Sequence, residues 1–260
     1  MKKIRFLNTF VNNCTMQECL DEFDELLSAD KKSYVVAVNV DVIIKIENDE
    51  LLKKITDDAD MVLVDGKPLI WIAKKHGKPI TEKVSGSDMV PLLCEKAAGK
   101  GYSIFILGGK DGVADKAKHN LEKLYPQIKV VGTYAPPLGF EKDELETAKI
   151  NSLISSVQPD ILLACLGCPK QEKFIYGNID KYDAKVSVCA GATVDFLAGN
   201  IKRAPKWMSN IGLEWLYRFF KEPGRLFKRY FVDDMKIFKL AKKYKPNKKD
   251  LKGNVNEGDS

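Results

Sequence analysis

Apolar runs and helical periodicities alternate along most of this chain. Short β-branched runs at Tyr34–Asn39, Asp60–Asp65, Tyr102–Leu107, Lys129–Gly132, Asp160–Leu166 and Lys185–Ala190 read as strands. Between them, 3.6-residue patterns predict helices over 41–57, 67–76, 87–99, 111–124, 141–157 and 169–178, after a first helix over Thr15–Ala29. Several runs, such as Met61-Val62-Leu63-Val64, are apolar at every position and so fit strands covered on both sides. Strands separated by helices of this length imply βαβ units. The expected class is α/β: a Rossmann-like, mostly parallel sheet with helices on both faces.

From about Ala192 the alternation stops. No further strand pattern follows, and two helices are expected, over 210–222 and 224–243. The second has Arg225, Arg229, Lys236, Lys239 and Lys243 on one side and Phe227, Tyr230, Phe231, Phe238 and Ala241 on the other, with Asp234 intruding. Residues 201–260 hold 16 Lys and Arg against 7 Asp and Glu, a net of +9, which leaves −3 for residues 1–200 of a chain whose total is +6. A basic amphipathic helix with aromatics opposite suits an anionic membrane surface, or else packs on the body with its charges in water. The expected organisation is an α/β catalytic core over 1–200, a basic helical appendage over 201–245 facing a membrane, and a disordered tail over 246–260.

Composition narrows the chemistry. No apolar run reaches the roughly 18 residues of a membrane span, and Met1–Phe6 lacks a leader pattern, so a cytoplasmic chain is expected. Six cysteines in 260 residues do not suggest a disulfide framework. Cys165 and Cys168 have C-x-x-C spacing without a second pair, and Cys165 falls in a strand, so core packing is expected in place of zinc. With two histidines in the chain, a histidine metal site or a Ser-His-Asp triad is disfavoured, and a base would be a carboxylate.

Asp65 is the first candidate. It ends a buried strand and precedes Gly66 and a Pro68-opened helix, at the sheet edge where open α/β folds bind ligands. Burial there would raise its pKa toward that of a useful base, although it could equally cap the helix. Gly108-Gly109 forms a strand-to-helix turn suited to a diphosphate, or is a tight turn with no ligand. Gln171 and Glu172 stand in the first turn after Gly167-Cys168-Pro169, and Asp195 opens the helix after the last strand. Ser87 and Asp88 are either site residues or caps.

Taken in order, Val64-Asp65-Gly66, Val84-Ser85-Gly86-Ser87-Asp88, Leu107-Gly108-Gly109, Gly167-Cys168-Pro169-Lys170-Gln171-Glu172, Arg203-Ala204-Pro205, Glu214-Trp215-Leu216-Tyr217-Arg218 and Glu222-Pro223-Gly224-Arg225 resemble the WecG/TagA/CpsF family of bacterial glycosyltransferases. The resemblance covers almost the whole chain. It implies an inverting, metal-independent transfer from a UDP-sugar, without a cofactor. In the teichoic-acid and enterobacterial-antigen members the donor is UDP-N-acetylmannosamine and the acceptor N-acetylglucosamine on a polyprenyl diphosphate. Asp65 would be the general base. Asn39, Lys83, Ser87, Gly108, Gly109, Gln171, Glu172, Asp195, Arg203, Arg218 and Arg225 would bind substrate, the arginines closing over the donor diphosphate. The expected setting is wall teichoic acid or related cell-surface polysaccharide synthesis, peripheral on the inner face of the plasma membrane, with a homo-oligomer as one form.

Two positions depart from the family pattern. Ala37 stands where a Thr is frequent, two residues before Asn39, and Lys83 stands where Arg is usual. Both bear on the donor sugar, and other members use other UDP-sugars for capsule or exopolysaccharide. A nicotinamide-dependent oxidoreductase fits the sheet but not the turn after the first strand, Asn39-Val40-Asp41-Val42, which has no glycine fingerprint. A nucleic-acid binder would use the basic tail and leave the turns of the acidic body without a role.

Overall fold

The computed structural model describes residues 1–205, 208, 213–221 and 223–246, without the side chains of Glu214, Arg218 and Arg225. The chain opens with a hairpin, β1 (Lys3–Phe6) and β2 (Thr9–Asn12), and helix α1 (Met16–Ser28). Then follow β3 (Ser33–Val38), α2 (Val40–Ile46), α3 (Glu50–Asp58), β4 (Met61–Val64), α4 (Lys67–Lys75) and α5 (Gly86–Lys100). The second half holds β5 (Ser103–Gly108), α6 (Val113–Leu124), β6 (Lys129–Tyr134), α7 (Glu144–Val157), β7 (Ile161–Cys165), α8 (Lys170–Asn178), β8 (Val186–Cys189) and α9 (Thr193–Leu197). Helices α10 (Glu214–Lys221), α11 (Pro223–Lys228) and α12 (Ile237–Lys243) close the described chain.

Six strands form one parallel sheet in the order β4-β3-β8-β7-β5-β6. Alternate residues of each strand enter opposite cores, as a period of two requires. Val62, Val64, Phe105, Leu107 and Leu162 meet α2, α3, α4, α7, α8 and α12 on one face. Met61, Leu63, Ile104, Ile106 and Leu163 meet α1, α5, α6 and α9 on the other. Both faces are therefore covered, which is why the strand sequences are apolar throughout.

Three differences from the sequence pattern have physical causes. The hairpin was not foreseen, because its strands are only four residues long; it is fastened to the sheet edge where Asn12 Oδ1 accepts from Val62 N at 2.7 Å. The helix expected over 41–57 is two helices, since Asp49 caps a new one by accepting from Leu52 N at 2.9 Å. The helix expected over 224–243 is interrupted by a π-helical turn at Arg229–Asp233 and a 3-10 turn at Asp234–Lys236. The wider turn shifts the register, so the straight-helix wheel no longer tells which side each residue faces. Residues 247–260 of the expected tail and residues 210–212 and 222 of the helix expected over 210–222 lie outside the described residues.

Helix α12 is fixed to the α/β body. Ile237 and Leu240 are buried in the core beside α2, Lys243 Nζ pairs with Glu47 Oε1 at 2.6 Å, and the Tyr244 hydroxyl donates to Glu47 Oε2 at 3.0 Å. The C-terminal helices are thereby held over the carboxyl end of β4 and β3.

Candidate active site

A cleft of about 840 Å³ opens at that end of the sheet. Its floor is the turn after β4. Asp65 N donates to Val38 O at 2.8 Å, continuing the β3–β4 ladder one residue past Val64, and Val84 N donates to Val64 O at 3.0 Å. Gly66 then takes φ +123°, a backbone that residues with a Cβ rarely adopt, and Pro68 stands in the first turn of α4. The N-cap position of α4 falls on Gly66, which has no side chain to offer the helix. Its carboxylate is half-buried and lines the cleft.

Asn39 and Lys83 line the same cleft, as does Ser87. Asn39 Oδ1 caps α2 by accepting from Val42 N at 3.1 Å. Among the described residues its Nδ2 has no acceptor, which leaves that donor for a ligand. Lys83 Nζ is 2.7 Å from Asp88 Oδ2, and Arg203 holds Asp88 Oδ1 and donates to Ser87 Oγ at 3.1 Å. Capping of α5 falls to Ser85, whose Oγ accepts from Asp88 N at 3.2 Å. Asp88 thus draws Lys83, Ser85 and Arg203 together. Burial pushes its carboxyl up, but the hydrogen bonds from Lys83 and Ser85 and the charges of Lys83 and Arg203 outweigh that and hold it at about 2.

Two further predicted pairs are placed elsewhere. Gln171 is buried and Glu172 fully so. Gln171 Oε1 accepts from Gly167 N at 3.2 Å and Gly191 N at 3.0 Å, joining the loops after β7 and β8, while its Nε2 donates to Glu172 Oε1 at 2.9 Å. Burial raises the Glu172 carboxyl above its ordinary range. Gly108 is needed for close approach, since a Cβ there would come within 2.4 Å of Cys165 O. Neither pair is in the cleft wall. Four strand positions separate β4 from β5, about 19 Å along the edge at roughly 4.8 Å per strand. Asp195 is half-buried in α9, its Oδ1 3.4 Å from Asn200 Nδ2. The Arg218 and Arg225 side chains lie outside the described residues. The C-x-x-C pair is free thiols, with Cys165 buried and pushed up to about 12 by burial. Among the described residues no three His, Cys, Asp or Glu side chains converge as a metal site.

The wall opposite Asp65 comes from residues the sequence pattern had placed on helix faces without a site role. Arg229 lies in the cleft, its Nη2 3.8 Å from Asp41 Oδ2. Asp234 is beside it, raised to about 6 by burial, which the Arg229 charge only partly opposes. Trp215 packs edge-on against Tyr230 at 5.8 Å between ring centroids. At the mouth, Trp71 of α4 is 57 % exposed and Phe238 of α12 is 62 % exposed, with Phe231 and Met235 also open to solvent. Lys67 and Lys75 of α4 and Lys242 of α12 stand among them. No helix among the described residues is long and apolar enough to cross a membrane.

Residues 4–251 match the sequence profile of the Glycosyl transferase WecG/TagA/CpsF family. Two curated relatives carry the name N-acetylglucosaminyldiphosphoundecaprenol N-acetyl-beta-D-mannosaminyltransferase. The Bacillus spizizenii protein (strain W23) is 29% identical over 199 residues, which is 76% of this chain and 75% of the relative. The Bacillus subtilis protein (strain 168) is 31% identical over 171 residues, 66% of this chain and 64% of the relative.

Proposed function

The chain belongs to the WecG/TagA/CpsF family of glycosyltransferases, and from that premise we propose that it transfers N-acetylmannosamine from its UDP derivative to N-acetylglucosamine on a polyprenyl diphosphate lipid. The observation that carries the reading is Asp65, a carboxylate at a strand end in a cleft whose mouth joins exposed aromatics to lysines. The names of the two Bacillus relatives support the choice of donor and acceptor.

Asp65 takes the proton from the acceptor sugar's hydroxyl as that oxygen attacks the donor's anomeric carbon. The bond from that carbon to the β-phosphate oxygen breaks on the opposite face, so configuration inverts and UDP leaves with the electron pair. Lys83, Arg203 and Arg229, with Arg218 and Arg225 from the C-terminal helices, meet the charge that develops on the diphosphate. Guanidinium groups suit this task because they bind phosphate bidentately and keep their proton. Asn39 orients a sugar hydroxyl. The nucleotide runs along the sheet edge toward the Gly108-Gly109 turn, the crevice where strand order reverses. The mouth rests on the inner face of the plasma membrane, aromatics at the headgroup level and lysines toward anionic lipid. The product feeds wall teichoic acid or a related cell-surface polysaccharide.

Incubation with UDP-N-acetylmannosamine and a lipid-linked N-acetylglucosamine, followed by UDP release and the lipid disaccharide, tests the reading. Coupled formation of both is expected. UDP-N-acetylglucosamine and UDP-glucose run in parallel, because Ala37 and Lys83 bear on the donor; faster turnover with either would move the donor assignment. No transfer from any of the three would overturn the proposal.

A further inference from the structure

Beyond the cleft, sharing His76 and Lys245 with it, lies a second pocket of about 440 Å³. Three separate parts of the chain build it: Arg5, Phe6 and Leu7 from the hairpin, His76 and Lys78 after α4, and Tyr244 to Pro246 after α12. Phe6 and Leu7 are buried and give it an apolar base. Arg5, Lys78 and Lys245 stand around it, and among the described residues none of the three has a carboxylate partner. The carboxylate at this end of α12, Glu47, is already taken by Lys243, Tyr244 and Asn8.

His76 reports the crowding of positive charge. It is 7 % exposed, and the Ala241 backbone beside it favours its protonated form. Burial pushes its pKa down, and the charges of Lys245, Lys75 and Lys78 push it the same way. Like charges gathered on one apolar-based pocket repel one another unless an anion joins them. Phosphate chemistry matches this set: Arg5 offers a planar fork, and Lys78 and Lys245 act as point charges.

We propose that this pocket is an anion site, separate from the Asp65 cleft, that binds a phosphate or diphosphate group. The group comes either from the headgroup of an anionic lipid at the cleft mouth or from a free diphosphate. The site does not depend on the transfer reaction.

The chain has two histidines, so the full-length protein gives two imidazole signals, with His119 in α6 as internal reference. Their titration midpoints are measured by NMR with pyrophosphate, with dihexanoyl-phosphatidylglycerol below its micelle concentration, and with the matching phosphatidylcholine. Arg5 and Lys78 line this pocket and not the cleft, so an Arg5→Gln/Lys78→Gln variant separates the two sites. The His76 midpoint should rise by about half a pH unit or more with a bound anion, His119 should stay fixed, and the double variant should abolish the rise. A rise with phosphatidylglycerol alone assigns the group to a lipid headgroup, and a rise with pyrophosphate as well assigns it to phosphate from either source. An unmoved His76 with every ligand, an equal rise in the double variant, or an equal rise with phosphatidylcholine would overturn the proposal.

Discussion

Two places along the sheet's carboxyl edge use one local design for different purposes. After β4 and again after β7, a buried strand runs into a glycine turn, a proline and a helix with polar residues nearby. At β4 the carboxylate lines an open cleft. At β7 the polar groups are buried and bonded to one another, Gln171 serving two glycine N–H groups and Glu172. Strand order explains the difference. β4 is an edge strand whose turn faces the C-terminal helices across a cavity, whereas β7 and β8 are central and their loops crowd together. A motif of this kind acts on a ligand or braces the fold according to what lies over it.

Substitutions at the two places should therefore fail differently. Asp65→Asn removes the proposed base and should lower kcat by about 10²–10⁴-fold, with a smaller change in stability than any variant at Gln171. Gln171→Ala leaves buried donors unpaired and should destabilise the fold by about 1–3 kcal/mol or more, read by denaturant unfolding; a loss under about 0.5 kcal/mol would break the contrast. Arg203→Ala frees one side of Asp88 and removes a cation beside the cleft, and should raise the donor KM about tenfold, in line with the roughly 1.5–3 kcal/mol of a charged hydrogen bond. The smallest effects are pH slopes. Asp88 is held at about 2, below its ordinary 3.8, so its contribution is full above about pH 4 and fades as pH falls toward 2. Asp234 is raised to about 6, so the folded state keeps its proton longer and stability falls as pH rises from about 4 through 6. Melting curves of wild type against Asp88→Asn and Asp234→Asn should show these opposite slopes.

The sheet was legible because strands covered on both sides must be apolar at nearly every position, as Met61–Val64 and Ile161–Cys165 are. Asp65 and Ser87 were legible as site candidates because a strand end and a helix start bring them to one edge, whereas Asn39 and Lys83 were marked only by the family resemblance. Asp88 was read only as a site residue or a cap, since its role depends on Arg203, 115 positions away in sequence. Arg229 and Asp234 were assigned to faces of a straight helix, and a π-helical turn carries no clear sequence signal. The contribution of α4 to the cleft mouth was hidden too, because Trp71 lies among apolar residues that otherwise read as a packed face.

General-base action by Asp65 is tested most directly by the acid limb of the kcat/KM profile for the acceptor. Wild type should lose rate as pH falls and the carboxylate takes up a proton. Asp234→Asn, which changes the other cleft carboxylate, should keep that limb, whereas Asp65→Asn should show a low rate without it. An Asp65→Asn enzyme with the wild-type rate and an unchanged acid limb would contradict the assignment.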